Sequence, residues 1–372
     1  MKTTQLHEFH AETGHMTEFA GYDMPVWYTS TSDEHLAVRN HCGAFDVSHM
    51  GRVRVSGQGS GRLLERLVPT DVVSQPTGKA IYTLFLNERA GILDDLIILK
   101  MAEEDFIVVV NAANAEADLE HIQEESRGFD ASIRDDTASS AMIALQGPDS
   151  RRVLQPLTTA DLGQLKRFRC QEAQVMGHAS AISRTGYTGE DGYEIIVYGA
   201  TNEQPEAALE VWRGLVQDAK PCGLAARDSL RTEAGYPLYG SDIGKDTDPF
   251  VADLAWVLSA SRQDYIGGAA VASARDSPPK RIRRGLVLDE KIPRAGFEIL
   301  DASSATVGRV TSGTFSPILR KGIAVGLVEG STSDFGTPVK VRIRDSTAPG
   351  NIARFPFYDE KLYGWKRQSN GK

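Results

Sequence analysis

The feature that most constrains the fold is a change of pattern at residues 273–280, where a stretch of small residues ends in Ser-Pro-Pro-Lys. Beyond it, short apolar runs alternate with glycines at a spacing of about ten residues, which is typical of short strands joined by turns. The runs are 285–288, 296–300, 306–311, 323–328, 339–344 and 352–357. They predict a small all-β barrel or sandwich, preceded by a linker near residue 278.

The part of the chain before this linker mixes helical and strand patterns. Residues 82–86 and 92–100 read as two strands joined by a short turn, and they predict a hairpin. Residues 115–126 have helical periodicity, and Thr31 with Glu34 has the spacing of a capping box at the start of a further helix. Because 372 residues exceed what one hydrophobic core usually serves, this mixed arrangement predicts two or three domains.

Composition restricts the partners and the compartment. The net charge of −9 argues against nucleic acid or an anionic membrane as the main partner. No window approaches the roughly 18 uninterrupted apolar residues of a membrane span, and the first residues lack a signal-peptide stretch. The cysteines Cys42, Cys170 and Cys222 are odd in number and far apart, so neither a disulfide framework nor a zinc ribbon is supported. We therefore expect a reducing, cytoplasmic location.

Three common site motifs are rejected. The glycine-rich loop 57–61 lies between a strand and a helix, but Arg62 replaces the third glycine of a dinucleotide-binding fingerprint, and a plain turn is the better interpretation. The eight histidines include no His-Glu-x-x-His pair and no compelling set of partners, so we expect no metal site. No Gly-x-Ser-x-Gly elbow supports a serine hydrolase.

Two adjacent carboxylates, Asp94 and Asp95, interrupt a nearly continuous apolar strand. An unpaired carboxylate is costly to bury, so each needs a partner or a function. Strand side chains alternate between faces, so at most one of the two points into a given pocket. A partly desolvated aspartate has a raised pKa, which suits it to hydrogen-bond a basic ring nitrogen. The alternative is structural, with one carboxylate solvated and the other capping backbone amides near the turn.

A polar loop at residues 184–194 carries three glycines and three carboxylates. Such a loop can place Tyr187 for stacking, and Glu194 for paired hydrogen bonds to an amino-substituted heterocycle. A polar turn between two strands explains the same residues equally well.

The segment 223–233 leads from small residues into an amphipathic stretch with Arg227, Asp228 and Arg231 near its start. An arginine placed there can grip a carboxylate or a ring carbonyl through two hydrogen bonds. A salt-bridge pattern along the helix is the structural alternative.

These segments occur in an order that resembles the glycine cleavage T-protein, or aminomethyltransferase, family. The matching segments are 19–25, 37–40, 45–51, 91–95, 145–148, 183–194, 223–228, 311–317 and 356–358. Any one of them is weak, but the ordered set is highly specific and covers nearly the whole chain.

The resemblance implies an α+β fold in which three domains form a cloverleaf around a central folate cavity. Domain 1, which binds folate, would comprise residues 1–50 plus 138–236. Domain 2, which carries the Asp-Asp strand, would comprise 51–137 plus 237–277. The third domain, 278–372, would be an all-β barrel.

The resemblance also implies an activity, the transfer of an aminomethyl group from the lipoyl arm of H-protein to tetrahydrofolate, with release of ammonia and formation of methylenetetrahydrofolate. Asp95 would hydrogen-bond the folate near its N5/N10 edge and activate the nitrogen nucleophile. Glu194 would hold the pterin, Tyr187 and Tyr82 would line the cavity, and Arg227 would bind a polar group of the folate. The expected partners are lipoylated H-protein and tetrahydrofolate as co-substrate, with no metal, nucleic acid or membrane.

The chain departs from the family pattern at two places. Ala90 precedes Gly91 where the family has two glycines before the Asp-Asp strand, which predicts a mild change of turn. After residues 356–358 the family places an arginine soon after the tyrosine, and this chain does not. We consider Lys361, Lys366 and Arg367 as candidates to replace that arginine.

Two other functions share part of the pattern. A folate-dependent demethylase of the same fold, with a sulfonium, oxygen or amine methyl donor, would share the folate residues but lack a docking surface for a lipoyl protein. A non-catalytic folate-binding regulator would carry a motif of the Lys-Gly-Cys-Tyr-x-Gly-Gln-Glu type, which is absent here. Aminomethyl transfer is therefore the leading hypothesis.

Overall fold

A computed structural model describes residues 1–367, which form eight α-helices, three single 3-10 turns and nineteen strands. The helices are α1 (His7–Thr13), α2 (Thr31–Asn40), α3 (Ser60–Leu67), α4 (Ala115–Glu125), α5 (Ser150–Leu154), α6 (Glu206–Leu215), α7 (Leu224–Ala234) and α8 (Gly268–Arg275), and the 3-10 turns are Gln155–Leu157, Ala255–Val257 and Gly330–Thr332. The strands are β1 (His15–Phe19), β2 (Tyr22–Trp27), β3 (Gly43–Asp46), β4 (Gly51–Ser56), β5 (Ala80–Leu86), β6 (Ile92–Ala102), β7 (Asp105–Val110), β8 (Ser132–Asp135), β9 (Ser140–Gln146), β10 (Cys170–Val175), β11 (His178–Ser183), β12 (Gly192–Tyr198), β13 (Lys220–Pro221), β14 (Arg281–Leu288), β15 (Glu298–Leu300), β16 (Thr306–Ser316), β17 (Lys321–Glu329), β18 (Pro338–Ile343) and β19 (Ser346–Ala353).

Two large sheets in the first part of the chain share a core, and β1 pairs with β2 in a separate two-stranded sheet. The five-stranded sheet has the order β5-β6-β7-β4-β8, and the six-stranded sheet has the order β10-β11-β12-β9-β3-β13. One face of the five-stranded sheet packs on α3 and α4 through residues such as Leu63, Ile98 and Ile122. Its other face packs on the six-stranded sheet, where Leu99 meets Met142. The far face of the six-stranded sheet packs on α5 and α6 through residues such as Val153 and Trp212. Each sheet therefore has a helix-covered side, and the two remaining faces meet.

The predicted hairpin is confirmed as β5 and β6. In its antiparallel register Leu84 lies opposite Asp95, and Phe85 lies opposite Asp94. Because side chains alternate, Asp94 shares a face with the residues that pack on α3 and α4, whereas Asp95 shares the face that meets the six-stranded sheet. The hairpin thus sends its two carboxylates in opposite directions.

The turn of this hairpin explains why Gly91 keeps the family's glycine and what the change at Ala90 requires. A Cβ added at Gly91 would lie 1.8 Å from the carbonyl oxygen of Lys245, so only glycine fits there. Ala90 has φ 64°, a left-handed conformation that glycine adopts without steric cost and alanine does not. The alanine is therefore accommodated at a position built for glycine.

The predicted capping box at the start of α2 is wrong. Ser30 is the N-cap, and its side chain accepts a hydrogen bond from the amide of Asp33 at 3.1 Å. Glu34 does not reciprocate towards Thr31, because its Oε1 accepts from backbone amides that precede the helix and its Oε2 accepts from the amide of Gly223 at 2.9 Å. Glu34 therefore holds the start of α7 against α2.

The all-β part of the chain is a closed six-stranded barrel of order β14-β17-β16-β15-β18-β19, so the barrel alternative is confirmed. The last predicted strand, 352–357, is wrong in its limits because β19 spans Ser346–Ala353. Phe355 and Phe357 lie beyond β19 and pack on Gly235, which follows α7, and on Gly285 of β14. A Cβ added at these glycines would lie 2.2 Å from Phe355 and 2.8 Å from Phe357. Contacts with other elements thus end the strand early.

The α+β class and the C-terminal barrel are as expected, and the two large sheets and the barrel surround one cavity. The five-stranded sheet draws on residues 51–135 and the barrel on residues 281–353. The domain limits given above for the two discontinuous domains and for 278–372 stay predictions. Of the helices in residues 1–367, none has the length and apolar character needed to cross a membrane.

Candidate active site

A cavity of about 970 Å³ lies where the two large sheets, α7 and the barrel meet. All five residues that the sequence nominated line it, namely Tyr82, Asp95, Tyr187, Glu194 and Arg227. A cavity of this size holds a drug-sized ligand and buries most of its surface. The structure therefore brings together candidates that are up to 145 positions apart (227 − 82).

Asp95 lies half-buried in the cavity wall with both carboxylate oxygens engaged. Its Oδ2 accepts a hydrogen bond from the Tyr82 hydroxyl at 3.0 Å, and its Oδ1 accepts from Asn111 Nδ2 at 3.0 Å. Removal from water, together with the negative charge of Asp94, raises the pKa of Asp95 to about 7, although the two hydrogen bonds oppose the rise. A carboxylate in this state can accept or release a proton near neutral pH.

Asp94 is fully buried and has a structural role. Its oxygens accept from the backbone amide of Asn111 at 2.9 Å, from Asn111 Nδ2 at 2.8 Å and from Asn114 Nδ2 at 2.7 Å. On its far side, burial and then the charge of Asp94 raise the pKa of Asp118 to about 10, so Asp118 is protonated at neutral pH. The capping alternative thus describes Asp94, while Asn111 connects it to Asp95.

Tyr187 presents its ring between two other cavity residues. Its hydroxyl donates to the carbonyl of Pro237, and its ring stacks on Tyr236 with centroids 5.9 Å apart and planes inclined by 27°. The guanidinium of Arg227 lies 4.9 Å from the centroid of the Tyr187 ring. Stacking and a cation–π contact therefore hold the Tyr187 ring in place in the cavity wall.

Glu194 and Arg227 offer complementary hydrogen-bonding groups. Glu194 Oε2 accepts from the Thr185 hydroxyl at 2.5 Å, and within residues 1–367 no side chain or amide hydrogen-bonds its Oε1. Arg227 Nη1 is buried and, over the same range, also without a partner. Burial lowers the pKa of Arg227, and the charge of Glu194 opposes that change. A free acceptor and a free donor thus line one cavity and carry opposite charges.

Comparison with known proteins identifies the family to which the chain belongs. The GCVT N-terminal domain family matches residues 6–262, and the glycine cleavage T-protein C-terminal barrel domain family matches residues 281–359. The chain belongs to the glycine cleavage T-protein family. The resemblance drawn from its motifs is therefore confirmed.

Individual relatives agree with this family membership along the full length. The aminomethyltransferase of Thermus thermophilus is 41% identical over 359 residues, which cover 96% of this chain and 99% of the relative. That of Bacillus subtilis is 38% identical over 367 residues, with 96% and 99% covered. The crystal structure of the glycine cleavage system aminomethyltransferase T from Bartonella henselae matches with a TM-score of 0.90 at 34% identity, covering 98% of this chain and 99% of that one. The prediction of an aminomethyltransferase is confirmed.

In this T-protein family member, the two arginines of helix α7 differ: one forms salt bridges, and within residues 1–367 the other lies free in the cavity wall. Arg231 forms ion pairs with Asp228 and with Asp242, each at 2.7 Å, as the salt-bridge alternative expects. Arg227 forms none of these contacts and keeps its free Nη1 in the cavity wall. One arginine therefore fastens the helix, and the other is available to a ligand.

Sequence reasoning missed several cavity residues, among them Trp256, His49, Tyr236 and Arg167. The ring of Trp256 stacks on Tyr82 with centroids 5.5 Å apart, and 68% of Trp256 is exposed. His49 is buried, and burial lowers its pKa to about 4, so it is neutral at pH 7. Of these four, only His49 had a usable signal, because it lies within the matching segment 45–51.

The three candidates to replace the arginine that the family places after residues 356–358 do not reach the cavity. Lys361 is exposed, and Lys366 forms an ion pair with Glu360 at 2.9 Å. Arg367 donates from Nη2 to Glu190 Oε2 at 2.9 Å. None of the three is among the residues that line the cavity in the described part of the chain.

The rejected motifs have structural explanations. A Cβ added at Gly59 would lie 2.7 Å from the backbone nitrogen of Asp130, and Gly57 has φ 113°, so these glycines allow close packing in a turn. Across residues 1–367, no group of three or more histidine, cysteine, aspartate or glutamate side chains is arranged to hold a metal ion.

Proposed function

We propose that this chain transfers the aminomethyl carbon from the lipoyl arm of H-protein to tetrahydrofolate, releasing ammonia and forming 5,10-methylenetetrahydrofolate. Family membership supplies the activity. The roles proposed for individual residues rest on one observation: Asp95, with its raised pKa, lines the same cavity as Glu194 and Arg227. Tetrahydrofolate enters as co-substrate, and no metal takes part.

Glu194, Arg227 and Tyr187 would hold the pterin. A reduced pterin presents an amino group and a ring N–H side by side, with a ring carbonyl next to them. The free Oε1 of Glu194 accepts from the N–H groups, and the free Nη1 of Arg227 donates to the carbonyl. The Tyr187 ring, held by Tyr236 and Arg227, lines the cavity beside these two groups.

The chemistry of the transfer sets what Asp95 must do. The carbon loses its bonds to the lipoyl sulfur and to the amine nitrogen, and it gains bonds to N5 and N10 of the folate. The protons displaced from N5 and N10 leave with the thiol and with ammonia, so no oxidant or reductant is required. The protein must therefore orient the folate nitrogens and accommodate a moving proton.

Asp95 meets both requirements in this proposal. In its ionised form it accepts a hydrogen bond from a folate N–H and directs the nitrogen lone pair at the carbon. With a pKa of about 7, it can then take up a proton and release it within one turnover. Tyr82 and Asn111 hold the carboxylate in place while it does so.

The experiment that tests the proposal supplies tetrahydrofolate and aminomethyl-loaded H-protein and measures ammonia release. We expect release that depends on both substrates, with omission of each as the control. Tight folate binding without ammonia release would contradict the proposal. It would favour the alternative named above, a folate-dependent demethylase with a small methyl donor.

A cytoplasmic location is part of the same proposal. Cys42, Cys170 and Cys222 are buried free thiols. Burial raises the pKa of Cys42 and of Cys170 to about 12, which keeps both thiols protonated and unreactive. Proteins that work in a reducing compartment commonly retain such thiols. Cell fractionation with an antibody against the chain tests the location.

A further inference from the structure

Arg167 is a cavity residue whose charge is not compensated within residues 1–367. It is half-buried and lines the cavity, and in residues 1–367 no carboxylate forms an ion pair with it. Its one hydrogen bond to a side chain, from Nη2 to the Tyr236 hydroxyl, is long at 3.5 Å. By contrast, Arg231 has two aspartates, and Arg283 donates to two backbone carbonyls at 2.8 Å. Arg167 therefore has hydrogen-bond donors left for an anion.

Two aromatic rings hold the Arg167 guanidinium in position without neutralising it. Its central carbon lies 4.1 Å from the centroid of Trp365 and 5.1 Å from that of Phe168. The Trp365 amide donates to the carbonyl of Gly189 at 3.0 Å, which fixes the tryptophan to the loop that carries Tyr187. A cation–π contact stabilises a cation and leaves its N–H groups free. The arrangement is that of an anion-binding group on a fixed support.

The place of Arg167 in the cavity indicates which part of a ligand it meets. Tyr236 contacts Arg167 through its hydroxyl and stacks on Tyr187 through its ring, so Arg167 lies one side chain beyond the proposed pterin site. A folate carries its negative charge on the glutamate tail, at the end away from the pterin. We propose that Arg167, held on Trp365, binds the glutamate carboxylates of the folate tail, an inference that rests on the proposed function.

This assignment accounts for the unusual end of the chain. Residues 359–367 place no cation in the cavity, but they do supply Trp365. The charge comes instead from residue 167, in the connection that precedes β10. Carboxylates bind guanidinium through paired, charge-assisted hydrogen bonds, and Arg167 has the geometry and the free donors for them.

Arg294 is the natural control because it also lines the cavity. It is exposed and belongs to the loop before β15, and among the described residues its hydrogen bonding is limited to a long contact from Nη1 to the Gly313 carbonyl at 3.4 Å. Exposed charges that are free to move contribute little to binding. Arg294→Gln therefore removes the same charge from the same cavity without removing the supported group.

The test measures binding by calorimetry with two ligands. The first is 5-formyltetrahydrofolate, and the second is its neutral analogue in which a methylamide replaces the glutamate. We expect Arg167→Gln to lower the affinity for the first ligand by about tenfold, which corresponds to the loss of one charged hydrogen bond. The affinity for the second ligand should fall by less than about twofold. Arg167→Lys should recover part of the loss. Arg294→Gln should change neither affinity by more than about twofold.

A second variant tests the support. Trp365→Leu should lower the affinity for 5-formyltetrahydrofolate less than Arg167→Gln does. In the Arg167→Gln background it should cause no further loss of affinity, because both changes act on the same group. Equal weakening of both ligands by Arg167→Gln, or unchanged affinity for the first, would overturn the inference. No binding of 5-formyltetrahydrofolate by the unaltered chain would overturn it as well. Ammonia release is a separate test of the proposed function. If ammonia is not released but Arg167→Gln still weakens binding of only the ligand that has the glutamate tail, the proposed function is contradicted and the role of Arg167 is not.

Discussion

At the scale of single residues, Asp94 and Asp95 have the same side chain and different chemistry because the strand turns them to opposite faces. Asp94 is fully buried and accepts three hydrogen bonds from Asn111 and Asn114, so it is satisfied within the protein. Asp95 accepts two, lies in the cavity wall, and has a pKa raised to about 7. One carboxylate is thus used to build the site, and the other is available to a substrate.

The first prediction concerns the loss of either carboxylate. Asp95→Asn should lower the rate of ammonia release by about 100-fold or more, because general acid–base groups contribute at least that much. Folate binding should persist, since the pterin is held by Glu194 and Arg227 in our proposal. Asp94→Asn is the matched control and should be much milder. Full activity of Asp95→Asn, or equal losses in both variants, would contradict the assignment.

The second prediction uses the pH dependence of kcat/KM. In our proposal Asp95 acts in its ionised form, so activity should fall as the pH drops through about 7. Tyr82→Phe removes a hydrogen bond that favours the charged form, so the pKa should rise and the acid limb should move to higher pH. Asp94→Asn removes a neighbouring negative charge, so the limb should move to lower pH. Shifts of both variants in the same direction would exclude Asp95 as the titrating group.

At the scale of elements, sequence patterns predicted what is local and missed what depends on contacts between elements. The hairpin β5–β6 follows from strand alternation, and so does the separation of its two carboxylates. The start of α2 was misjudged because Glu34 is engaged by the preceding chain and by Gly223, 189 positions away. Tyr236 and Arg167 follow no periodic pattern, so only the folded chain reveals them as cavity residues.

The third prediction concerns the contact between α2 and α7. Arg39 in α2 is fully buried, donating from Nε to Glu233 of α7 at 3.0 Å and from Nη1 to Glu190 at 3.1 Å. Arg39→Met removes the buried cation that Glu190 and Glu233 share, leaving Glu190 with Arg367 and Glu233 with His35. Breaking such a buried cluster costs about 3–5 kcal/mol of unfolding free energy. Denaturant titration measures the loss. Lys2→Met is the control, because the exposed Lys2–Glu116 pair should contribute at most about 1 kcal/mol.

At the scale of the whole molecule, the cavity exists only where the separate sheet systems meet. The barrel is joined to the rest by hydrogen bonds from Ser316 to Glu233 and from Thr311 to Asp242, both at 2.5 Å. The first of these reaches the same Glu233 that holds Arg39, so barrel, α7 and α2 share one buried polar cluster. The contact that joins the barrel to α7 thus extends to α2, which packs on β3 and β13 at the edge of the six-stranded sheet.

The last prediction follows from this construction. A ligand that binds only the folded chain stabilises it by mass action, and 5-formyltetrahydrofolate at about 100 times its Kd should add about 2.7 kcal/mol. Because the cavity takes walls from the five-stranded sheet, the six-stranded sheet, α7 and the barrel, the gain should raise the Tm of one cooperative transition. Arg227→Gln should reduce the rise at the same ligand concentration, whereas Lys2→Met should retain it. A calorimetric scan in which the ligand shifts one transition and leaves a separate barrel transition unmoved would show that the barrel does not share in binding.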